Sequence, residues 1–178
     1  IDISEYKSTT DEEAITVRQK YGLPADFLLA VGHFRKRKNY MRLVEALSVL
    51  HKRGRDIPLV LVGNESGDLP AIKQRIEELG LTRHISIFSN LSDHEVRCIY
   101  KLCSLFVFPS GYEGFGIPIL EAMAAERPMV LSDISVFQEI TQGKGVYFDH
   151  TNPESIATAI DNVLLSTDEC ARLVQYGN

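Results

Sequence analysis

The sequence predicts an α/β fold, a doubly wound parallel sheet of about six strands with helices on both faces. Three observations point to it. Short apolar runs recur along the 178-residue chain. The stretches between them carry apolar residues at helical spacing, and capping residues and glycines separate consecutive elements. Short buried strands that alternate with helices are typical of a parallel sheet joined by right-handed crossovers.

The first half of the chain contains three predicted strands. Residues 1–8 show no clear periodicity and are interpreted as a linker from a missing amino-terminal domain, which leaves 9–178 as the domain itself. A capping box formed by Thr10 and Glu13 starts a helix that ends at Gly22. The other elements predicted in this half are strands at 27–31, 58–62 and 85–88 and helices at 39–54 and 69–79.

The second half continues the alternation. A capping box of Ser92 and Glu95 starts a helix that runs to about Cys103. A strand at 105–108 leads through a loop to a helix that begins near Gly116, with Pro118 in the first turn, where a missing N–H costs nothing. The remaining predicted elements are strands at 129–131 and 145–148, helices at 136–140 and from 152, and a final helix from 166 that the chain end truncates.

Composition excludes several classes of protein. Hydrophobic residues make up 44% and charged residues 24% of the chain, and the net charge is −5. These values are typical of a soluble globular protein and argue against a basic protein that binds nucleic acid. No apolar run approaches the ~18 residues of a membrane span, although peripheral membrane contact stays open. The cysteines lack metal-site spacing and are interpreted as reduced and cytoplasmic: Cys98, Cys103 and Cys170.

Two loops leave predicted strands at the carboxyl edge of the sheet, where ligands bind in folds of this class. The loop at 32–38 contains four consecutive basic residues, and the loop at 110–115 ends in a glycine-bearing segment before a helix. Free N–H groups and the helix dipole favour an anion such as phosphate there, although an ordinary strand-to-helix turn uses the same glycines. We expect both loops to face one crevice.

Four ionisable residues suit this crevice. Glu121 is the only ionisable residue within 117–125. If it is buried it needs a partner or a ligand such as a ribose diol, and the alternative is a solvent-facing position. Glu113 is either a surface charge or a group that holds sugar hydroxyls beside the phosphate site. Lys38 would supply positive charge to a diphosphate, and Arg37 would add a bidentate fork.

Several catalytic patterns are missing from the sequence. It contains no D-x-D, so metal-bridged diphosphate chemistry lacks its paired acids, and we expect neither a metal nor a cofactor. It also lacks a nucleophile elbow, a G-x-G-x-x-G after the first strand and a Walker lysine motif. His33 lies in the basic loop, and the other histidines are interpreted as surface or cap residues: His51, His84, His94 and His150.

The segment PSGYEGFGIPILEAMAAERPMVLSD resembles the signature of the retaining glycosyltransferases of family 4, whose GT-B architecture pairs two Rossmann-like domains. Two glutamates separated by seven residues are weak evidence for this family when taken alone. Their position within the same order of segments makes the resemblance specific. The match covers the carboxyl-terminal, nucleotide-sugar-binding half only. Further segments fall where the family has similar ones: LLAVGHFRKRKNYMRLVEAL, LVLVG, SDHEV with LCSLFVFPS, and YFDHTNPESIATAI.

The resemblance implies a role for each candidate residue. Glu113 matches the acid that contacts hydroxyls of the transferred sugar, and as the catalytic residue it would act by orientation and charge stabilisation. Glu121 matches the acid that holds the ribose, and Lys38 with Arg37 matches the pair that binds the diphosphate. Many members have an arginine where His33 stands. The other substrate-binding residues are the loop residues Gly114, Phe115 and Gly116 and, near the base, Asn90 and Leu91.

The resemblance therefore implies the donor-binding domain of a retaining, metal-independent glycosyltransferase. Its partners would be a nucleoside-diphosphate sugar and the missing amino-terminal acceptor-binding domain, and contact with the inner face of a membrane stays open for the whole enzyme. The isolated domain is expected to bind donor but to transfer almost no sugar. The string Arg37-Lys38-Asn39 resembles mannosyl-type members that build surface polysaccharides. Two alternatives are half of a nucleotide-sugar epimerase and a non-catalytic nucleotide-binding or interaction module.

Overall fold

The computed structural model describes residues 2–176, with only the backbone of residues 167, 169, 170, 175 and 176. The side chains of Glu169 and Cys170 therefore lie outside the described residues. Within residues 2–176, six strands form one sheet in which all neighbouring pairs are parallel. The predicted doubly wound α/β fold is confirmed. The strands are β1 Leu28–Val31, β2 Leu59–Val62, β3 Ile85–Phe88, β4 Leu105–Phe108, β5 Met129–Ser132 and β6 Val146–Phe148.

Helices occupy the connections that the sequence predicts. Both predicted capping boxes form, at Thr10 with Glu13 and at Ser92 with Glu95. Within residues 2–176, no helix has both the length and the apolar character that crossing a membrane requires. The helices are α1 Ile3–Ser8, α2 Asp11–Tyr21, α3 Tyr40–Lys52, α4 Leu69–Glu78, α5 Asp93–Leu102, α6 Ile117–Ala124, α7 Ser135–Ile140, α8 Pro153–Leu165 and α9 Thr167–Tyr176, with a 3-10 turn at Lys36–Lys38.

Residues 3–8 form the short helix α1, although the sequence shows no clear periodicity in this stretch. The side chain of Asp2 accepts a hydrogen bond from the backbone N–H of Ser4 and starts α1. Tyr6 packs edge-on against Tyr100 of α5, with ring centroids 6.1 Å apart. A six-residue helix shows too few turns for a periodic pattern, and tertiary packing stabilises it.

The core lies on both faces of the sheet because alternate side chains of a strand point to opposite sides. In β1, Leu28 packs on one face and Leu29 on the other; in β4, Val107 and Phe108 divide in the same way. Helices α3, α4 and α8 cover the first face, and α2, α5 and α6 cover the second. Two-sided burial explains why the strands appear in the sequence as continuous apolar runs.

The strand order is β3-β2-β1-β4-β5-β6. The chain winds outwards from β1 in one direction and then, from β4, in the other. A crevice forms at such a reversal because the loops after the two central strands diverge to opposite faces. The basic loop after β1 and the glycine-bearing loop after β4 therefore flank the topological switch point.

Candidate functional site

A buried ion pair joins the two loops at the switch point. Lys38, in the loop after β1, places its Nζ 2.7 Å from Oε1 of Glu113, in the loop after β4. Their side chains are only 7% and 8% exposed. The hydroxyl of Ser110 donates to the same Oε1 at 2.7 Å. Glu113 is therefore not a surface charge, and the two loops do face each other.

Arg37 adds a second cation to this pair. Its Nη1 donates to Oε2 of Glu113 at 2.8 Å and to the carbonyl of Tyr112 at 3.2 Å. The backbone N–H of Gly111 in turn donates to the carbonyl of Arg37 at 2.9 Å. The Arg37 side chain stays 41% exposed, so part of its guanidinium faces solvent beside the buried pair.

The buried position of Lys38 requires that residue 32 have no side chain. Gly32 has a φ of 147°, and a Cβ there would lie 3.1 Å from Cε and 3.2 Å from Nζ of Lys38. The ammonium also lies 4.8 Å from the centroid of the Phe108 ring, a cation–π distance. Tyr40 donates from its hydroxyl to the Gly32 carbonyl at 2.8 Å and fixes this turn.

Asn39 occupies the N-cap position of α3, as expected, but its side chain does not cap the helix. Its backbone is left-handed, with φ at 59°, and its amide nitrogen donates instead to the carbonyl of His150 at 2.6 Å. The ring of His150 reaches 3.1 Å from the place where a Cβ of Gly111 would stand. The residues after β6 thus support the Lys38 loop from the side.

The glycine-bearing loop leads into α6 as predicted. Gly116 is the N-cap residue with φ at 93°, and a Cβ there would lie 3.2 Å from the ring of Phe137. Gly114 has open space where its Cβ would be. Two aromatic side chains of this loop are largely exposed, Tyr112 at 71% and Phe115 at 58%. The loop therefore presents a helix N-terminus and two exposed rings next to the ion pair.

Glu121 lies in a different part of the crevice. Its Oε2 accepts a hydrogen bond from the hydroxyl of Tyr100 at 2.9 Å. Burial, reinforced by this carboxylate, raises the pKa of Tyr100 well above its ordinary value, so that the hydroxyl stays a donor. Glu121 also lines a cavity of about 370 Å³ that is bounded by Asp2, Glu5, Tyr6, Asp93, Val96, Arg97 and Ile117. No spacing in the sequence indicates the tyrosines at this site.

Asn90 and Leu91 line a second cleft, of about 210 Å³, at the carboxyl ends of β1 and β2. Asn90 is left-handed, with φ at 59°, and its N–H donates to the side-chain oxygen of Asn64 at 3.1 Å. Asp93 and Val96 line this cleft and the Glu121 cavity alike. Gly32 and His33, at the start of the loop that carries Lys38, also line the 210 Å³ cleft. The two cavities and this loop therefore adjoin one another.

The ionisation of Glu113 makes stability depend on pH. Burial tends to raise the pKa of Glu113, but hydrogen bonds from Lys38, Ser110 and Arg37 outweigh it and hold the pKa below its ordinary value. A carboxyl with a lowered folded-state pKa stabilises the fold above its unfolded pKa, and this contribution is lost as the pH falls through the folded pKa.

We therefore expect the gap in unfolding free energy between the wild type and Glu113→Gln to be largest near neutral pH and to shrink below about pH 4.5. Urea titrations at several pH values measure it. Glu77→Gln, which removes an exposed glutamate of α4, is the control. A gap that is equal at pH 7 and at pH 3 would contradict the prediction.

The sequence of residues 13–178 matches the family model of glycosyl transferases group 1. The serotype-specific mannosyltransferase WbdA of Escherichia coli is 34% identical over 161 residues, which cover 89% of this chain and 20% of WbdA. The O-antigen chain mannosyltransferase B of Escherichia coli is 31% identical over 159 residues, which cover 88% of this chain and 42% of that protein. The chain thus spans less than half the length of these relatives.

A solved structure has the same fold. The C-terminal domain of LpcC, a glycosyl transferase group 1 family protein from Francisella tularensis, superposes with a TM-score of 0.81. The superposition covers 99% of this chain and 94% of that one, at 22% sequence identity. The family model, which matches all but the first twelve residues, shows that the chain belongs to the group 1 glycosyltransferase family.

Proposed function

We propose that this chain is the donor-binding part of a retaining, metal-independent glycosyltransferase. It would bind a nucleoside-diphosphate sugar whose sugar is transferred to an acceptor hydroxyl. The observation that carries the proposal is the buried Lys38–Glu113 pair at the switch point between β1 and β4. Burying two charges carries a large desolvation penalty, so a buried ion pair that does not offset this penalty is a candidate for a functional role. The Lys38–Glu113 pair borders the cavities that a nucleotide would fill.

The cations suit the diphosphate. An ammonium has three donors, one of which points to Glu113 at 2.7 Å, and Arg37 is partly exposed beside it. When a sugar leaves a nucleoside diphosphate, the diphosphate gains negative charge in the transition state. Cations that are already held in place stabilise the transition state, with its larger negative charge, more than the ground state. This difference lowers the activation barrier.

Glu113 is suited to bind the sugar at the other end of the sugar–diphosphate bond. Its two oxygens accept from Lys38, Ser110 and Arg37, so the carboxylate is fixed in orientation before any donor arrives. We assign it the hydroxyls of the transferred sugar, with orientation and charge stabilisation as its catalytic contribution. The leaving phosphate would act as the base towards the acceptor.

Glu121 and the 210 Å³ cleft suit the nucleoside. Tyr100 orients the Glu121 carboxylate, which can accept hydrogen bonds from both hydroxyls of a ribose. Asn90 and Leu91 lie in the adjoining cleft, where we place the base. Glu113 would then hold the sugar, Lys38 and Arg37 the diphosphate, and Glu121 with the adjoining cleft the nucleoside.

We infer that the donor is GDP-mannose. The relatives WbdA and mannosyltransferase B are named as mannosyltransferases, and the string Arg37-Lys38-Asn39 resembles that type. The acceptor site would lie on another domain, since the relatives are more than twice as long as the matched region. The exposed rings of Tyr112 and Phe115 would face that domain, and the chain alone should transfer little sugar.

Glu121→Gln tests the assignment. Calorimetric titration with GDP-mannose should show affinity reduced about 10- to 100-fold, because hydrogen bonds to a charged acceptor contribute about 1.5–3 kcal/mol. Glu77→Gln on the exposed face of α4 should keep the wild-type affinity. In the same series, GDP-mannose should raise the unfolding temperature of the wild type more than UDP-glucose or ADP-glucose does.

Each failure has a distinct meaning. Equal affinity in Glu121→Gln and the wild type would remove the ribose assignment. A larger thermal shift with UDP-glucose would contradict GDP-mannose as the donor. Failure of every nucleotide sugar to bind would refute the proposed function and favour an interaction module.

A further inference from the structure

Two histidines and an aspartate meet at the edge of the sheet opposite to the proposed donor site. His51 lies in the last turn of α3, Asp56 in the irregular segment before β2, and His84 directly before β3. Parallel strands share one amino-terminal edge, and the donor clefts lie at the carboxyl-terminal edge. Both histidines are predicted from the sequence to be surface or cap residues, and the structure places their rings edge to face with centroids 4.3 Å apart.

The three side chains converge on one point. Nδ1 of His84 lies 3.2 Å and Nε2 of His51 lies 3.7 Å from the same oxygen, Oδ1 of Asp56. One ligand atom from each residue lies within 4.8 Å of the other two. A tetrahedral zinc ion with bonds of about 2.0–2.2 Å needs its ligand atoms roughly 3.3 Å apart. Small side-chain rotations would close the triangle, and Asp56, at 80% exposure, is free to make them.

His51 gives an independent reason to expect a ligand. Its Nε2 is buried, and within the described part of the chain it has no hydrogen-bond partner. The Asp56 oxygen at 3.7 Å is beyond hydrogen-bonding range. A buried polar atom without a partner is costly, and a cation bound between the two imidazoles and the carboxylate would supply the missing interaction.

The backbone around the cluster is fixed. The N–H of Gly54 donates to the carbonyl of His51 at 2.9 Å, and the N–H of Arg55 to that of Leu50 at 2.9 Å. His84 accepts at its carbonyl from the N–H of Leu59 in β2 at 2.8 Å. Backbone hydrogen bonds thus hold both histidines, one at the end of α3 and one directly before β3, while the exposed aspartate lies in the segment before β2. This combination lets a cation bind without rearranging the sheet.

We propose that His51, Asp56 and His84 bind a zinc(II) ion, with water as the fourth ligand. Two imidazole nitrogens and one carboxylate suit a late first-row divalent metal, and zinc accepts this set in tetrahedral geometry. Magnesium and calcium prefer oxygen ligands. The ion would join the end of α3 to the segments that precede β2 and β3, at the edge of the sheet opposite to the donor site, and would stabilise the fold without entering the transfer reaction.

Calorimetric titration of chelator-treated protein with zinc chloride at about pH 7.5, where a free imidazole is mostly neutral, tests the proposal. We expect one equivalent to bind and the unfolding temperature to rise. His84→Gln and Asp56→Asn should each weaken zinc binding by more than about tenfold. The matched control is His94→Gln, whose histidine lies 3.9 Å from Glu13 and which should bind zinc as the wild type does.

Asp56→Asn changes an exposed side chain, so it decides the question even if His84→Gln fails to fold. Equal zinc affinity in Asp56→Asn and the wild type would overturn the proposal, as would the absence of stoichiometric binding. Cobalt(II) provides a spectroscopic check. A sulfur-to-metal charge-transfer band would place the ion on cysteine thiolates instead and would also overturn it.

Discussion

Lys38→Met is expected to lower the free energy of unfolding by about 3–5 kcal/mol, because it leaves the buried carboxylate of Glu113 without its nearest cation. Methionine fills the space of the lysine stem, so the lost charge and not a cavity dominates the effect. Arg37 still contacts Glu113, which favours the lower end of the range. Urea denaturation at neutral pH measures the change.

Two further variants separate charge from packing. Lys36→Met alters an exposed residue of the same basic turn and should change stability by less than about 0.5 kcal/mol. The double substitution Lys38→Met with Glu113→Leu should recover much of the lost stability, because apolar residues often replace a buried ion pair without cost. It should not recover affinity for GDP-mannose. Equal effects of Lys38→Met and Lys36→Met would show that the pair contributes no stability.

Gly63→Ala is the second substitution with a large expected effect. A Cβ at Gly63 would lie 1.9 Å from the carbonyl oxygen and 2.7 Å from the carbonyl carbon of Gly32. These are backbone atoms, and hydrogen bonds hold both segments: Gly32 N–H to the Val62 carbonyl at 2.9 Å and Gly63 N–H to the Phe88 carbonyl at 3.0 Å. We expect a loss of about 4 kcal/mol or more in unfolding free energy.

Gly114→Ala is the matched control for this effect. A Cβ at position 114 would meet open space, so the unfolding free energy of this variant should stay within about 1 kcal/mol of the wild-type value. The variant should gain a little stability if the backbone conformation at position 114 suits alanine. Because Gly63 and Gly32 both line the 210 Å³ cleft, a folded Gly63→Ala protein should also bind GDP-mannose more weakly. Wild-type stability in Gly63→Ala would show that the two strand ends can separate at little cost.

The sequence alone predicted the strands to within one residue because their signals are local. A strand covered on both faces appears as an uninterrupted apolar run, such as PLVLV before Gly63, and helix starts carry capping boxes within four residues. The same local signals placed Gly116 and Pro118 at the start of α6. They failed for α1, which is too short for a periodic pattern and packs on a tyrosine of α5.

By itself, then, the sequence determined the α/β class, the boundaries of the strands to within one residue and the residues that carry charge at the carboxyl edge of the sheet. The tertiary structure decided which of four consecutive basic residues is buried: Lys38 is enclosed because its partner Glu113 arrives on a loop from another strand. It likewise decided that Tyr100 orients Glu121 and that His51 meets His84. These contacts join residues distant in sequence, and only the strand order, which no local pattern encodes, brings them together.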